Sequence, residues 1–351
     1  MAAGKLRFGV AGTNTITDKF LEGAMLDPRF ELTAVCSRSL EKAAAFGAKY
    51  GGRAKAFSSI AEMAESNCVD AIYIAVPNSL HAEYSTVCIE AGKHVLCEKP
   101  AASNAKELRG VLAAARKHGV AFMEAMLPTT SPNFRVIVNA LPRLGKLRRY
   151  FAAYCQYSSR YDKFKQGVAA NVFTTTMSGG ATMDIGVYTL YPMVALFGMP
   201  ISLSAQGIVL ASGVDGQAAV NIEYPEMNAT VIYSKIADSY LPSEIEGEEG
   251  NLLMSSINVL RDVEFIPHRV PASGFGEDSA RQQIGIALDK SDYYYETKEF
   301  IDIVAGGKTH SELNSWDNSL HTLELTDEIR RQLEVEFPAD RQYTPDFNRG
   351  S

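Results

Sequence analysis

Residues 94–100, His-Val-Leu-Cys-Glu-Lys-Pro, form a short apolar run that ends in a Glu-Lys-Pro tripeptide. A run of this length that is bounded by a proline is consistent with a buried parallel strand. Because an open α/β sheet holds its ligand at the carboxyl ends of its strands, Lys99 is a candidate acid or base. The alternative is that a surface lysine before a proline marks only the exit from the strand.

The sequence on both sides of this run alternates short apolar segments with amphipathic ones, which predicts repeated βαβ units around a parallel sheet. The predicted strands are residues 6–11, 31–37, 54–57, 71–76, 94–97 and 121–124, and the predicted helices are 16–25, 40–50, 60–66, 79–91 and 104–118. Gly92 and Gly119 stand just past the last turn of two of these helices, where glycine is favoured. We therefore predict a doubly wound parallel sheet in a domain of residues 1–126.

Beyond residue 126 the pattern changes to strands joined by short turns. These strands are predicted at residues 147–157, 201–211, 218–223, 229–235, 243–248, 251–255 and 263–267. One helix interrupts them at 183–197 and ends at Gly198, and two more are predicted at 293–305 and 316–333. This order predicts a second, α+β domain over residues 127–351 with a large, mostly antiparallel open sheet.

Charge and cysteine usage exclude several classes of protein. The formal net charge of −7, without a basic stripe, argues against a nucleic-acid partner. The five cysteines are odd in number and contain no C-x-x-C pair, which disfavours a disulfide framework and a structural zinc site, so no metal is predicted. No uninterrupted run of about 18 apolar residues is present, so we expect no membrane span. A reducing, cytoplasmic location is the resulting expectation.

The segment after the first predicted strand contains Gly12, which can form the tight turn that brings a helix N-terminus to a pyrophosphate. The G-x-G-x-x-G pattern is incomplete, because Asn14 and Thr17 occupy the second and third glycine positions. Asparagine tolerates the left-handed conformation that glycine usually serves there. This Rossmann-type turn predicts cofactor contacts from Gly12, Thr13, Asn14, Thr15 and Ile16.

The second predicted strand ends in Ser37 and Arg38, where dinucleotide-binding domains commonly carry an acid for the ribose hydroxyls. An arginine suits a 2′-phosphate better than a free diol, and a hydrogen bond to a charged group contributes about 1.5–3 kcal/mol. We therefore expect roughly a ten- to hundredfold preference for NADP over NAD. The alternative is that Arg38 is only a solvated residue at a helix start.

Four motifs in the expected order resemble the family of glucose–fructose oxidoreductase and inositol 2-dehydrogenase, the Gfo/Idh/MocA family. They are the Pro-Asn turn with its histidine in residues 73–81, Glu98-Lys99-Pro100, Glu124-Ala125, and the run Gly-Gly-Ala-Thr-Met-Asp-Ile-Gly-Val-Tyr at 179–188. The resemblance covers nearly the whole chain and is closest in motif to the dimeric dihydrodiol dehydrogenases and some sugar dehydrogenases.

The resemblance implies an NAD(P)-dependent oxidoreductase that transfers a hydride between the nicotinamide and a carbon bearing a hydroxyl or carbonyl of a sugar, polyol or related small molecule. It implies Lys99 and Tyr188 as an acid/base pair and Asp184 as an orienting carboxylate. Asp184 and Tyr188 are four residues apart and so share one helix face. The family also implies cofactor contacts from Ala75, Val76, Pro77, Asn78, His81, Glu98 and Lys99. For His81, a capping or packing role is the alternative.

Two regions leave alternatives open. Many family members carry an arginine near the cofactor where this chain has Thr129. Arg160 and Tyr161 are expected either to line the substrate pocket or to lie in an exposed loop. We also expect a homodimer or homotetramer formed through the open face of the second sheet.

Two other functions compete with the dehydrogenase. An NAD-dependent glycosidase would use transient oxidation, but Ser37 and Arg38 suit the ribose diol of NAD poorly. A cofactor-sensing regulator without turnover would not need Lys99, Asp184 and Tyr188 together.

Overall fold

The computed structural model describes residues 4–168, 170–268 and 281–341. It divides into two compact units, one of Met1–Thr130 with Lys290–Leu323 and the other of Ser131–Asp289 with Glu324–Ser351. The domain limits 1–126 and 127–351 stay a prediction, and the packing groups residues 290–323 with the unit that holds the parallel sheet.

The first unit contains a six-stranded parallel sheet in the order β3-β2-β1-β4-β5-β6, which confirms the predicted doubly wound fold. Its strands are β1 Leu6–Ala11, β2 Phe30–Cys36, β3 Lys55–Phe57, β4 Ala71–Ile74, β5 His94–Glu98 and β6 Phe122–Ala125. The helices between them are α1 Thr15–Ala24, α2 Leu40–Ala48, α3 Ile60–Glu65, α4 His81–Glu90 and α5 Ala105–His118, and α6 Leu127–Thr130 follows β6.

The strands of this sheet are apolar at most positions, because helices cover both faces. All four residues of β4 are buried, and Tyr73 in that strand stacks on Phe20 of α1 at a centroid distance of 3.6 Å. Helix α5 begins after Asn104, whose side chain accepts from the backbone N–H of Glu107, and ends at Gly119 with φ of 64°. Gly119, which predicted the end of this helix, is therefore the residue at which the helix ends.

The second unit contains an eight-stranded sheet in the order β14-β13-β12-β11-β7-β10-β9-β8. The strands are β7 Leu147–Cys155, β8 Ser202–Val209, β9 Asp215–Glu223, β10 Asn228–Ser234, β11 Ser243–Gly247, β12 Gly250–Met254, β13 Val263–Pro267 and β14 Gln282–Gln283. Strands β7 and β10 are parallel and the other described pairs are antiparallel, so the prediction of a mostly antiparallel sheet is confirmed.

Three short helices were not predicted. They are α6, α7 Pro132–Ala140 and α8 Tyr161–Lys165. Pro132 occupies the start of α7 after a Ser131 cap, where its missing N–H costs nothing.

The remaining helices are α9 Val187–Phe197, α10 Asp292–Ala305 and α11 Trp316–Gln332, and a π-helical segment, Thr182–Gly186, leads directly into α9. Helix α9 covers one face of β7 and β10, where Tyr150 donates from its hydroxyl to the carbonyl of Thr189 at 3.0 Å. A Cβ on Gly186 would lie 3.0 Å from the ring of Tyr233, so a glycine there allows this close packing.

Candidate functional site

The turn after β1 brings the backbone unusually close to the end of β4. Gly12 has φ of +105°, and a Cβ at this position would lie 2.2 Å from the carbonyl oxygen of Ala75. In this strand order the carboxyl ends of β1 and β4 flank the switch point, where open α/β sheets bind dinucleotides. The narrow turn leaves room for a pyrophosphate to approach the backbone at Gly12.

Asn14 does not use the left-handed conformation that asparagine tolerates. It is extended, with φ of −105° and ψ of 176°, because its side chain caps α1. The Oδ1 atom accepts from the N–H groups of Ile16 and Thr17 at 2.8 and 3.2 Å, and Nδ2 donates to Ala75 O at 2.7 Å. Since the cap uses those two donors, Thr13 and Thr15 carry the donors that would face a phosphate.

The end of β2 presents an exposed arginine. Ser37 donates its backbone N–H to Phe57 O at 3.1 Å, while no hydrogen bond or ion pair within the described ranges holds the Arg38 guanidinium. Burial raises the pKa of the nearby Tyr84, and the charge of Arg38 partly offsets that effect. Arg38 is therefore available to an anionic group.

His81 is buried at the start of α4 between two backbone carbonyls. Its Nδ1 lies 2.7 Å from Pro100 O and its Nε2 lies 2.9 Å from Val76 O. Burial lowers the pKa of this imidazole. The ring thus ties the end of β4 to the segment that follows Lys99, which supports the packing alternative and leaves neither ring nitrogen for the predicted cofactor contact.

Two acidic side chains hold the same segment from other directions. The Tyr73 hydroxyl donates to Glu98 Oε1 at 2.5 Å, and Glu124, which is 3% exposed, accepts from the backbone N–H of Ala101 at 2.9 Å. Burial raises the pKa of Glu124 to about 7. Lys99 is therefore carried on a segment whose neighbours are fixed on both sides.

Thr129 occupies the position at which many family members carry an arginine, and its side chain points into the interior of the first unit. It is fully buried and its hydroxyl donates to Met126 O at 3.1 Å and to Asn314 Oδ1. Asn314 in turn donates to the carbonyls of Glu124 and Met126 at 3.1 and 3.2 Å. The side chain at this position serves packing of its own unit.

In the second unit, Asp184 lies in the π-helical segment and Tyr188 in the first turn of α9. The Oδ2 atom of Asp184 forms an ion pair with Lys235 Nζ. The Tyr188 ring packs edge-on against Tyr154, with centroids 5.6 Å apart and an interplanar angle of 84°. The structure thus adds Lys235 and Tyr154 to the predicted residues.

A sequence signal for Lys235 exists. Ala229, Val231 and Tyr233 alternate along β10 as buried residues on the helix-covered face, and Lys235 continues that alternation. A lysine at an inward position is unusual and should have marked it as a candidate.

The π-helical segment is itself fixed by buried polar groups. Asp215 Oδ2 accepts from the backbone N–H and the hydroxyl of Thr182, each at 2.7 Å, and that hydroxyl lies 2.9 Å from the Tyr233 hydroxyl. Gly180 has φ of +111°, and a Cβ there would lie 2.3 Å from Asp215 Oδ1. The glycine in the motif is therefore required for Asp215 to reach the segment that carries Asp184.

The remaining predicted substrate residues are Arg160 and Tyr161, and Tyr161 belongs to a group of aromatic side chains. Arg160 is exposed, and Tyr161 packs against Tyr157, Phe164 and Phe173 with centroids 5.5, 6.0 and 5.6 Å apart. A substrate contact from Arg160 or Tyr161 stays a prediction.

No group of three or more histidine, cysteine, aspartate or glutamate side chains in the described ranges could hold a metal ion. No helix in the same ranges is long and apolar enough to cross a membrane.

Comparison with known proteins gives matches along most of the chain. Residues 6–126 match an oxidoreductase family with an NAD-binding Rossmann fold, Gfo/Idh/MocA, and residues 142–253 match the C-terminal domain of that family. The chain is 45% identical over 336 residues to scyllo-inositol 2-dehydrogenase (NADP+) IolU of Bacillus subtilis, covering 96% of this chain and 99% of that protein.

Two more distant relatives extend the comparison. The chain is 26% identical to trans-1,2-dihydrobenzene-1,2-diol dehydrogenase of Xenopus laevis, covering 95% of this chain and 99% of that protein. The fold is similar to that of KijD10, a 3-ketoreductase from Actinomadura kijaniata in complex with NADP, with a TM-score of 0.76, 22% identity and coverage of 94% and 98% of the two chains.

Proposed function

Because this chain belongs to the Gfo/Idh/MocA family of oxidoreductases, we propose that it is an NADP-preferring dehydrogenase that acts on a secondary hydroxyl of a cyclitol or sugar. Family membership confirms the resemblance inferred from the motifs, the oxidoreductase class and the nicotinamide dinucleotide cofactor. The observation that carries the substrate class is the 45% identity to a scyllo-inositol 2-dehydrogenase (NADP+) over nearly the whole chain.

The proposal assigns cofactor binding to groups at the carboxyl ends of the parallel strands. The turn at Gly12 and the donors of Thr13 and Thr15 would hold the pyrophosphate, and Arg38 would pair with a 2′-phosphate. When bound, the nicotinamide takes up or supplies the hydride. The remaining predicted cofactor contacts are Ile16, Ser37, Ala75, Val76, Pro77, Asn78 and Glu98.

The chain's own residues manage the proton. We assign Lys99 to hydrogen-bond the reacting oxygen and Tyr188 to take or give the hydroxyl proton. An unperturbed phenol has a pKa of about 10, so it acts as a base near neutrality only with a cation nearby. Asp184 is assigned to orient a hydroxyl of the substrate, and its ion pair with Lys235 places a positive charge beside that carboxylate.

Two alternatives remain distinct from this proposal. A glycosidase that uses transient oxidation would hold and recycle NAD, for which the exposed Arg38 is poorly suited. A cofactor-sensing regulator would bind NADP without turnover, although it would have no use for the buried groups that fix the segment around Lys99.

The proposal is tested by a substrate screen. Inositols, aldoses, ketoses and vicinal diols would be incubated with NADP or NAD, and formation of the reduced nicotinamide followed by absorbance. We expect oxidation of scyllo-inositol or a related polyol with NADP. Cofactor binding without turnover of any compound would favour the regulator, and cleavage of an aryl glycoside without net cofactor reduction would favour the glycosidase.

Tyr188→Phe tests the proton assignment once a substrate is known. The turnover number of the variant should fall by a factor of roughly 10²–10⁴. Its pH profile should no longer show the change in rate that ionisation of the Tyr188 phenol causes. Tyr240→Phe is the matched control, since Tyr240 is 95% exposed. A native pH profile in Tyr188→Phe would refute the assignment.

A further inference from the structure

The ammonium group of Lys235 has hydrogen-bonding capacity that the protein does not use. Lys235 follows β10 and points to the face that α9 covers, and its side chain is 10% exposed. Its Nζ contacts Asp184 Oδ2, and no other side-chain or backbone acceptor is found for it among the residues that the structure describes. Since an ammonium carries three donors, two of them are left to water or a ligand.

Unused donors on a nine-tenths buried cation are costly unless something accepts from them. A structural ion pair in this place would be expected to have further acceptors around the ammonium. Asp184, by contrast, has a side chain that is 32% exposed, so its carboxylate reaches solvent beside the buried ammonium. The pair therefore presents a donor and an acceptor next to each other at one accessible point.

The backbone around the pair is fixed. The Lys235 N–H donates to Gly216 O at 2.8 Å, which anchors the residue beyond the end of β10. The segment that carries Asp184 is held through Thr182 by the buried Asp215. Neither partner needs to move to meet a ligand, so little ordering cost is added on binding.

We propose that Lys235 is a substrate-binding residue that, together with Asp184, recognises two neighbouring hydroxyls of a polyol. A hydroxyl is both donor and acceptor, so one hydroxyl accepts from the Lys235 ammonium while its neighbour donates to the Asp184 carboxylate. This inference rests on the proposed dehydrogenase function, and it assigns the specificity for a vicinal diol to Lys235 rather than to Asp184 alone.

The test measures binding separately from turnover. The probe is scyllo-inositol, titrated by calorimetry into the full chain saturated with NADPH, a complex that cannot oxidise it. Lys235→Met should raise the Kd of scyllo-inositol about 10- to 100-fold, the expected value of a charged hydrogen bond, and leave the Kd of NADPH within about twofold. Lys146→Met, a change of an exposed lysine paired with Glu226 in the same unit, should leave both constants unchanged.

The same change made in the Asp184→Asn variant tests whether Lys235 contacts the polyol directly or acts only through Asp184. If Lys235 contacts the polyol, Lys235→Met should still weaken scyllo-inositol binding several-fold when Asp184→Asn is already present. Lys235→Arg, which keeps the charge and donors, should bind more tightly than Lys235→Met and serves as the folded comparison if the methionine variant is unstable. Native-like binding by Lys235→Met, or an effect that vanishes in the Asp184→Asn background, would overturn the proposal.

The outcome also distinguishes this inference from the proposed function. A native protein that binds scyllo-inositol in a Lys235-dependent way but does not oxidise it with NADP would refute the function and leave the binding role intact. Oxidation by both native protein and Lys235→Met at equal KM would leave the function intact and refute the role of Lys235. Native protein that does not bind scyllo-inositol would refute the polyol site.

Discussion

The imidazole of His81 lies 2.7 Å from the carbonyl oxygen of Pro100 through Nδ1, while its Nε2 faces Val76 O at 2.9 Å. One buried ring therefore joins the end of the fourth strand to the residue that follows Lys99. We regard His81 as a residue that positions Lys99 and takes no part in the reaction itself.

His81→Ala should lower kcat by about tenfold or more while the Kd of NADPH changes less, because a buried carbonyl loses the imidazole N–H that donates to it and the Lys99 segment loosens. Loss of a buried hydrogen bond also destabilises by about 1–3 kcal/mol, so thermal unfolding should be recorded with the kinetics. His118→Ala, at the end of α5, is the control. Equal kcat in native protein and His81→Ala would argue against a positioning role.

The cofactor preference is expected to depend on Arg38. In native protein NADPH should bind roughly ten- to hundredfold more tightly than NADH. Arg38→Ala should reduce this difference in affinity, because it weakens the binding of NADPH and not that of NADH. Nicotinamide fluorescence titration measures both constants. Arg53→Ala is a suitable control. Arg53 lies before the amino end of β3, whereas ligands bind at the carboxyl ends of the strands. Equal affinities of native protein for the two cofactors would exclude the assignment.

Glu124 should make stability depend on pH. Its pKa is raised from 4.5 to about 7 by burial, so the folded chain holds this proton where the unfolded chain has lost it. Its contribution is therefore complete below about pH 4.5 and falls as pH rises through about 7. At about 1.4 kcal/mol per pKa unit the full effect is roughly 3 kcal/mol.

Glu124→Gln removes this titration. Relative to native protein, the variant should gain unfolding free energy as the pH rises from 4.5 to about 7 and keep a constant difference above that, as measured by urea unfolding at intervals across and above this range. Glu312→Gln, a change of a side chain that is 86% exposed, should show no such trend. A constant difference between Glu124→Gln and native protein at every pH would show that Glu124 does not titrate there.

We also expect a dimer or a dimer of dimers formed through the face of the second sheet that α9 does not cover. Phe151, Ala219 and Ile232 are partly or fully exposed on adjoining strands of that face. Ile232→Lys should therefore shift the species seen by light scattering towards monomer, whereas Val138→Lys on α7 should not. A monomer in native protein at micromolar concentration would contradict the expectation.

The strands of the parallel sheet were predictable because both faces are largely buried, so most of their residues are apolar and β4 is apolar throughout. The ends of α5 were predictable because Asn104 and Gly119 act locally. The parallel pairing of β7 with β10 was not, since it joins residues about 80 positions apart and leaves no local pattern. Lys235 was missed although it ends the predicted strand 229–235, because its partner Asp184 lies 51 positions away in the sequence and gives no local signal.

The site itself was predictable in part. Lys99, Asp184 and Tyr188 stood out by motif, whereas Tyr73, His81 and Glu124 act on the Lys99 segment through contacts distant in sequence. The extended backbone of Asn14 was not foreseen, because it depends on the side chain capping α1.

The central claim is that Lys99 acts on the reacting oxygen, and Lys99→Met tests it most directly. NADPH affinity and turnover of the substrate found in the screen would be measured side by side in native protein and the variant. We predict nearly unchanged NADPH binding and a loss of turnover of about 10²–10⁴, the usual contribution of one positioned acid or base. Native-like turnover in Lys99→Met would contradict the account.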